Sequence, residues 1–168
     1  IMSGRHFRGD LNAIIKVRLA ILTAVTSVKV EIGFKDTITA VHVVNAKATP
    51  TFVATDGVCW IYDTSDTGRG GDGLGVANTT AATSMTSYNV APTADAYESL
   101  QVALLDGAAY FSRFNANGLR DFGPTRMGSA ITATVLLAPY VSVEARSGTS
   151  RTVRIDRIKA YQARTATP

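Results

Sequence analysis

The glutamates and histidines of this chain are few, and their spacing bears on catalysis. The glutamates are Glu31, Glu98 and Glu144, and the histidines are His6 and His42. Retaining glycosidases need two carboxyl groups about 5–5.5 Å apart, which alternate positions of one strand would supply, but no glutamate here has a carboxylate two residues away. A Ser–His–Asp hydrolase needs a positioned base, but His6 lies in an irregular stretch and His42 in an apolar one. The sequence therefore predicts a protein without enzymatic activity.

A glycine-rich loop over residues 63–73 carries three aspartates, Asp63, Asp66 and Asp72. Carboxylate oxygens are the ligands that Ca²⁺ prefers in proteins, although the spacing here matches no EF-hand loop. Aspartate and glycine also supply turns in solvated loops that bind no metal. We expect no cofactor, and a weak calcium site at these three aspartates stays open as the alternative interpretation.

The whole chain has a net charge of +4, and its positive charge is concentrated in the last third. Residues 113–168 hold 9 Lys/Arg against 3 Asp/Glu, whereas residues 1–112 hold 8 against 10. A basic half indicates an acidic partner surface. The arginines expected to contact a partner or a neighbouring copy are Arg5, Arg8, Arg146, Arg151, Arg154 and Arg157.

The composition argues against several other classes of protein. The arginines are accompanied by no recognition helix and no paired aromatic platform, so we do not expect a nucleic-acid partner. No apolar run reaches the roughly 18 residues that span a bilayer, so we expect no membrane association through a helix. The single Cys59 forms no intrachain disulfide. We therefore expect side-chain packing, and assembly with other chains, to hold the fold together.

Alternation of apolar and polar residues with a period of two predicts strands along most of the chain. The alternation is clearest over residues 12–22 and 26–35, and in a closing hairpin over residues 136–146 and 151–162. In the second strand of that hairpin the phase slips near Asp156-Arg157, which predicts a bulge. Further strands are expected at residues 39–46, 51–56, 58–62, 74–77, 84–90, 97–105 and 108–115, with a turn at Asp56-Gly57, a polar loop at 116–130 and a strand from 131 to 146.

Ten to twelve short strands with hardly any helix signal define the expected fold. Each strand has one apolar face, so two sheets must pack face to face. The sequence therefore predicts an all-β, two-sheet antiparallel sandwich of the jelly-roll or concanavalin A-like type. We expect an extended N-terminal arm at residues 1–11 and a single domain at residues 12–168.

Three segments, in the same order, carry a resemblance to a known family. They are an Asp-Gly followed by an apolar aromatic strand (55–63), a strand that turns at Asp-Gly into an aromatic strand (97–111), and the closing hairpin (136–162). Together they resemble the concanavalin A-like, lectin/glucanase-type sandwich domains of bacteriophage virion proteins. The glucanase branch of that family uses a Glu-x-Asp-x-(x)-Glu arrangement, which this sequence lacks.

The resemblance implies a structural role in a virion. The function expected from it is a non-enzymatic capsid decoration protein on the capsid exterior, with a tail position as the alternative. Its partners would be the major capsid protein and copies of itself, and a trimer would match the three-fold positions of a capsid. The alternative function is a glycan-binding, lectin-like module of a phage tail or a secreted protein. Such a module would display an exposed aromatic row, for which the candidates are Trp60, Tyr62, Tyr88 and Tyr97.

Overall fold

The computed structural model describes residues 4–22, 25–65, 71–81, 91–148 and 150–164. Ten strands in these ranges form two antiparallel sheets, which confirms the predicted sandwich. Sheet I has the strand order β10-β1-β6-β7-β8, and sheet II has the order β5-β4-β3-β2-β9. The strands are β1 (Ile14–Ile21), β2 (Val28–Lys35), β3 (Gly57–Asp63), β4 (Gly71–Ala77), β5 (Thr80–Ala81), β6 (Glu98–Leu105), β7 (Ala108–Phe114), β8 (Arg120–Met127), β9 (Ala138–Ala145) and β10 (Val153–Tyr161).

The two ends of the chain meet at one edge of sheet I. Strand β1 pairs with β10 on one side and with β6 on the other. Arg18 lies opposite Arg157 and Leu19 lies opposite Ile155, so Asp156 is an extra residue between two paired positions. This is the bulge that the phase slip in the sequence predicts, and it places Ile158 opposite the buried Val17.

The main core fills the space between the sheets, because alternate residues of every long strand point inward. Trp60 of sheet II is fully buried there. Its ring packs edge-on against Phe111 at 5.9 Å and against Phe122 at 5.7 Å between ring centroids. Its indole Nε1 donates a hydrogen bond to the carbonyl oxygen of Ser112 at 3.2 Å. One aromatic side chain therefore ties sheet II to β7 and β8 of sheet I.

The segment of residues 36–56 departs from the prediction of two strands. Apart from one isolated bridge between Val44 and Phe52, it forms no ladder. Instead it lies over the outer face of sheet II, where Val43, Val44 and Ala54 form a second core with residues of β3, β4 and β9. The amides of Val43 and Val44 donate to the Glu31 carboxylate and that of Lys47 donates to Asp63, so these groups are satisfied without a regular ladder. The amides of Asn45 and Val53 donate to backbone carbonyls within the segment. We call residues 36–56 the cover segment.

Three more expectations of local structure were wrong. The predicted polar loop at 116–130 contains β8, an edge strand whose largely polar surface suits an edge position. Asp56-Gly57 is not a hairpin turn, because Gly57 begins β3 beside Lys35, while the Asp56 carboxylate accepts the amide of Thr132 at 2.6 Å. The strand expected from 131 begins only at Ala138. The strand expected at residues 84–90 lies outside the described residues.

The described part of the N-terminal arm lies on its own sandwich. Phe7 bridges to Leu137, and its ring is 5.6 Å from that of Phe34. A short 3₁₀ turn at Gly9–Leu11 then leads into β1. Within the described chain, no helix is long and apolar enough to span a membrane.

Candidate functional site

The two outer faces of the sandwich carry most of the charged side chains considered above. On β2 the residues that point away from the main core include Lys29, Glu31 and Lys35, all of them buried beneath the cover segment. Glu31 accepts hydrogen bonds from the Tyr140 hydroxyl at 2.7 Å and from the Val43 amide at 2.8 Å. The Nζ of Lys29 lies 3.1 Å from the Glu31 carboxylate. This network is closed to solvent and attaches the cover segment to sheet II.

Two of the calcium candidates belong to the same covered face. Asp63 is fully buried and accepts a hydrogen bond from Arg146 Nε at 3.0 Å and one from the Lys47 amide at 3.0 Å. Burial alone would raise the pKa of Asp63, but the hydrogen bonds from Arg146, Ser65 and Lys47 outweigh it and hold that pKa below its ordinary value. Asp72 lies 3.1 Å from the Nζ of Lys47.

The third calcium candidate, Asp66, lies outside the described residues. Across the part of the chain that the structure describes, no three His, Cys, Asp or Glu side chains are grouped to hold a metal ion. The contacts of Asp63 and Asp72 with Arg146 and Lys47 already place a positive charge beside each carboxylate. The calcium site stays a prediction.

The six arginines predicted as contacts do not share one surface. Arg146 belongs to the covered side with Asp63, and Arg151 donates to the Thr26 carbonyl at 2.7 Å. Arg5 donates to the Asp36 carbonyl at 3.4 Å, and Arg8 pairs with Asp10. Arg154 and Arg157 are exposed on β10. Only these last two lie together on the outer face of sheet I.

The outer face of sheet I is open and basic. On β1, Ile15 and Val17 are fully buried, whereas Lys16 and Arg18 point outward. In the β1–β10 ladder Lys16 lies directly opposite Lys159, and Arg18 lies directly opposite Arg157. Two cation–cation pairs are therefore adjacent on neighbouring strands. We call Lys16, Arg18, Arg157 and Lys159 the basic quartet.

A groove of about 320 Å³ runs along this quartet. Its other wall is the turn after β7, residues 115–118. The side-chain oxygen of Asn115 accepts the amides of Asn117 and Leu119, each at 3.1 Å, so the wall is held by its own hydrogen bonds. Ser99 of β6 also lines the groove. The groove thus combines hydroxyl and amide groups with four positive charges.

Aromatic rings support two of the four cations. The Nζ of Lys16 lies 3.5 Å from the centre of the Phe114 ring, and the guanidinium of Arg18 lies 4.4 Å from that of Tyr97. Burial lowers the pKa of Lys16, and the charges of Arg120, Lys159 and Arg157 lower it further. Arg18 also pairs with Asp156 at 2.9 Å. The remaining cations of the quartet have no ion pair among the described residues.

The aromatic row expected of a lectin-like module is not assembled from the predicted residues. Trp60 and Tyr62 are buried, and the Tyr62 hydroxyl donates to the Val25 carbonyl at 2.8 Å. Tyr97 lies beneath Arg18, and Tyr88 is outside the described residues. Sequence reasoning missed Lys16, Arg18 and Lys159 as site residues. The signal was present in the polar positions of β1 and β10, but only the pairing of these strands brings them together.

This chain is similar to known proteins in its structure but not in its sequence. No protein-family model matches the sequence, and no curated protein matches it. A protein of unknown function from Shewanella oneidensis MR-1 superposes with a TM-score of 0.58 at 14% identity, over 96% of this chain and 62% of that one. This chain therefore spans less than two thirds of the length of that protein.

Two further solved structures that superpose on this chain are a carbohydrate-binding module and a galectin. The carbohydrate-binding module CBM66 from Bacillus subtilis superposes with a TM-score of 0.52 at 6% identity, over 89% of this chain and 74% of that one. Galectin-Ib from Xenopus laevis superposes with a TM-score of 0.50 at 10% identity, over 96% and 98%. The chain has a concanavalin A-like sandwich fold. At these identities the likeness shows the fold alone, and none of the three structures is named as a virion protein.

Proposed function

We propose that this chain is a non-catalytic carbohydrate-binding module that uses the groove on the outer face of sheet I. The observation that carries the proposal is an open groove lined by hydrogen-bonding side chains, on a sandwich whose fold neighbours include a carbohydrate-binding module and a galectin. Ligand sites are concave surfaces with a few positioned polar groups. This groove offers the Ser99 hydroxyl and the side-chain amide of Asn117 beside the quartet. Because fold alone does not determine function, the site has to be tested directly.

The contrast between the two outer faces supports the choice of sheet I. The cover segment and the Glu31 network fill the outer face of sheet II, so a saccharide would have to displace a packed layer to reach it. The groove beside Ser99 needs no such rearrangement. Interfaces that are formed before binding avoid the cost of ordering, which favours the open face.

The test is a glycan array followed by titration calorimetry with the best ligands. Ser99→Val fills part of the groove with a branched side chain that suits a strand, and we expect it to weaken binding at least about tenfold. Thr80→Val, at an exposed position of strand β5 in the other sheet, is the matched control and should bind as the wild type does. Binding that Ser99→Val leaves unchanged would contradict the placement of the site.

The non-catalytic part of the proposal has its own measurement. The saccharides that bind are incubated with the protein at high concentration for a day, and new reducing ends are assayed. We expect none above the rate without protein. A rate that depends on protein concentration would contradict this part of the proposal while leaving the binding site in place.

Capsid decoration is a second candidate, and one observation favours it. The basic quartet would complement an acidic lattice, as the charge of the C-terminal third predicts. The measurement is co-sedimentation with undecorated capsids at low and high salt. Saturable, salt-sensitive association together with a silent glycan array would favour this role over the first.

A further inference from the structure

Sheet I keeps two like-charge pairs where the physics of a sheet disfavours them. Residues directly opposite on neighbouring strands have Cβ atoms about 4.5–5.5 Å apart, and like charges in such positions destabilise the sheet. Lys16 faces Lys159 and Arg18 faces Arg157, in consecutive outward positions of the same ladder. A carboxylate in place of either lysine would have made the first pair attractive, whereas the second pair has the carboxylate of Asp156 beside it. Local choices that conflict with stability are expected at functional sites.

The protein itself provides little negative charge for this cluster. Asp156, the bulge residue, pairs with Arg18 at 2.9 Å. Within the described ranges, no carboxylate forms an ion pair with Lys16, Arg157 or Lys159. Each of the carboxylates Glu31, Asp63 and Glu98 instead pairs with a cation elsewhere. Positive charge therefore exceeds negative charge among the residues that line the groove.

The face continues as a basic band beyond the quartet. The Phe114 ring is near two cations, Lys16 and Arg120, and the Arg120 guanidinium is 5.6 Å from the ring centre. Arg154 extends the outward row along β10, two strand positions before the bulge. Adjacent strands are about 4.8 Å apart, so β10 and β8, the two edge strands of sheet I, lie about 19 Å apart. The cations of this band lie on β10, β1 and β8. An elongated ligand with repeated negative charges fits this band better than a single small anion does.

We infer that the groove and its basic band bind an acidic polysaccharide, one whose sugars carry sulfate or carboxylate groups, with the quartet contacting those groups and Ser99 and Asn117 contacting sugar hydroxyls. The inference rests on the proposed function and adds the class of saccharide. A single-stranded nucleic acid would be held through base stacking on open aromatic faces, and the Phe114 face on this surface is occupied by Lys16.

The experiment measures binding of dextran sulfate, polygalacturonate, neutral dextran and duplex DNA by calorimetry, at low and at high salt. We expect the two acidic polysaccharides to bind, with affinity that falls steeply as salt rises because exposed charges are screened. Neutral dextran should bind at least about tenfold more weakly at low salt, because charge-assisted hydrogen bonds carry the contact. DNA should bind more weakly than dextran sulfate at the same charge concentration.

Two double variants separate this groove from general attraction to a basic protein. Lys16→Gln/Lys159→Gln removes two charges from the groove, and we expect at least about a tenfold loss of affinity for dextran sulfate. Arg5→Gln/Arg151→Gln removes the same charge from positions that do not line the groove, and we expect less than about a twofold loss. Lys16→Gln removes a like-charge contact and also the contact with Phe114, so the first variant should melt close to the wild type. If the double variant fails to fold, the single variant Lys159→Gln, on the exposed edge strand, replaces it.

Each other outcome overturns the inference in a distinguishable way. Equal losses in the two double variants would mean unspecific attraction. Binding of neutral saccharides without acidic ones would overturn the inference and leave the proposed function standing. No binding of any saccharide would overturn both. DNA that binds as tightly as dextran sulfate, with the same dependence on Lys16 and Lys159, would identify a nucleic-acid site instead.

Discussion

The outer faces of the two sheets are built from the same kind of strand, but one face is covered and the other is open. Strand β2 of sheet II and strand β1 of sheet I both alternate apolar residues with charged ones. On sheet II the charged side chains are buried and paired, as Lys29 is with Glu31. On sheet I they stay open, and Lys16 faces another cation. An alternating pattern shows which face is polar, but the rest of the chain decides whether that face becomes a second core or a surface for binding.

The physical difference is the cost of desolvation. Burying a charge is costly unless it is paired and hydrogen-bonded, and the covered face satisfies this demand through Tyr140, the Val43 amide and Lys29 around Glu31. On the open face Arg157 and Lys159 are exposed, so they keep water that they can exchange for a ligand. The covered face therefore contributes to stability, and the open face keeps charge available at a cost in stability.

The largest expected effect comes from breaking the covered network. Glu31→Ala leaves the ammonium of Lys29 buried without its closest carboxylate, and loss of one partner of a buried ion pair costs about 3–5 kcal/mol. We expect the free energy of unfolding in urea to fall by that amount, and hydrogen exchange at the amides of Val43 and Val44 to become fast. Glu144→Ala is the control, because its carboxylate also contacts Lys29 but is 36% exposed, and it should cost less than about 1 kcal/mol.

A loss below about 1 kcal/mol for Glu31→Ala would contradict the role given to this network. In that case the apolar contacts of Val43, Val44 and Ala54 with sheet II would be enough to hold the cover segment. The face would then be accessible by local opening, and the reason for preferring sheet I as the binding face would be weaker.

The pH dependence of stability is a second test of the covered face. The folded-state pKa of Asp63 lies below its ordinary value, so the stability from its contacts is fully present above the unfolded-state pKa, about 3.9. That stability is lost as pH falls through the lower, folded-state pKa. Asp63→Asn removes the titrating group and should cost about 1.5–3 kcal/mol at neutral pH through the weakened bonds to Arg146 and Lys47.

The measurement is the free energy of unfolding from pH 6 to pH 2 for the wild type and Asp63→Asn. The difference between the two proteins should be constant above about pH 5 and shrink at lower pH. Asp156→Asn, whose carboxylate is partly exposed on the open face, serves as the control and should change the profile little. A difference that stays constant down to pH 2 would contradict the sign given to the Asp63 shift.

Local patterns in the sequence were enough for most strands and for the bulge. Residues 12–22 and 26–35 became β1 and β2, and the phase slip near Asp156 marks a real irregularity in the β1–β10 ladder. These features depend on neighbours in the chain, which the sequence displays. The excess of arginine in the last third was also visible, but it could not be divided between faces.

The pairing of strands that are far apart in the chain could not be predicted from the sequence. The quartet exists because β1 pairs with β10 across about the whole length of the chain, and no local pattern indicates that pairing. The cover segment has β-like composition, but Glu31 of β2 accepts the amides of Val43 and Val44, and the bridge between Val44 and Phe52 does not extend into a ladder. Strand β8 was mistaken for a loop because an edge strand tolerates Gly and Pro that a central strand would not.

The smallest expected effect tests the cost of the open face. Lys159→Glu turns the pair with Lys16 into an attractive one, and cross-strand charge pairs contribute about 0.2–1 kcal/mol. We expect a slightly higher free energy of unfolding at low salt, a smaller gain at high salt because exposed charges are screened, and loss of acidic-polysaccharide binding in the same protein. Lys159→Gln should fall between wild type and Lys159→Glu in both measurements. If Lys159→Glu lowered stability, the like-charge pair would not be a cost to the fold, and the quartet could no longer be explained as charge kept for a ligand.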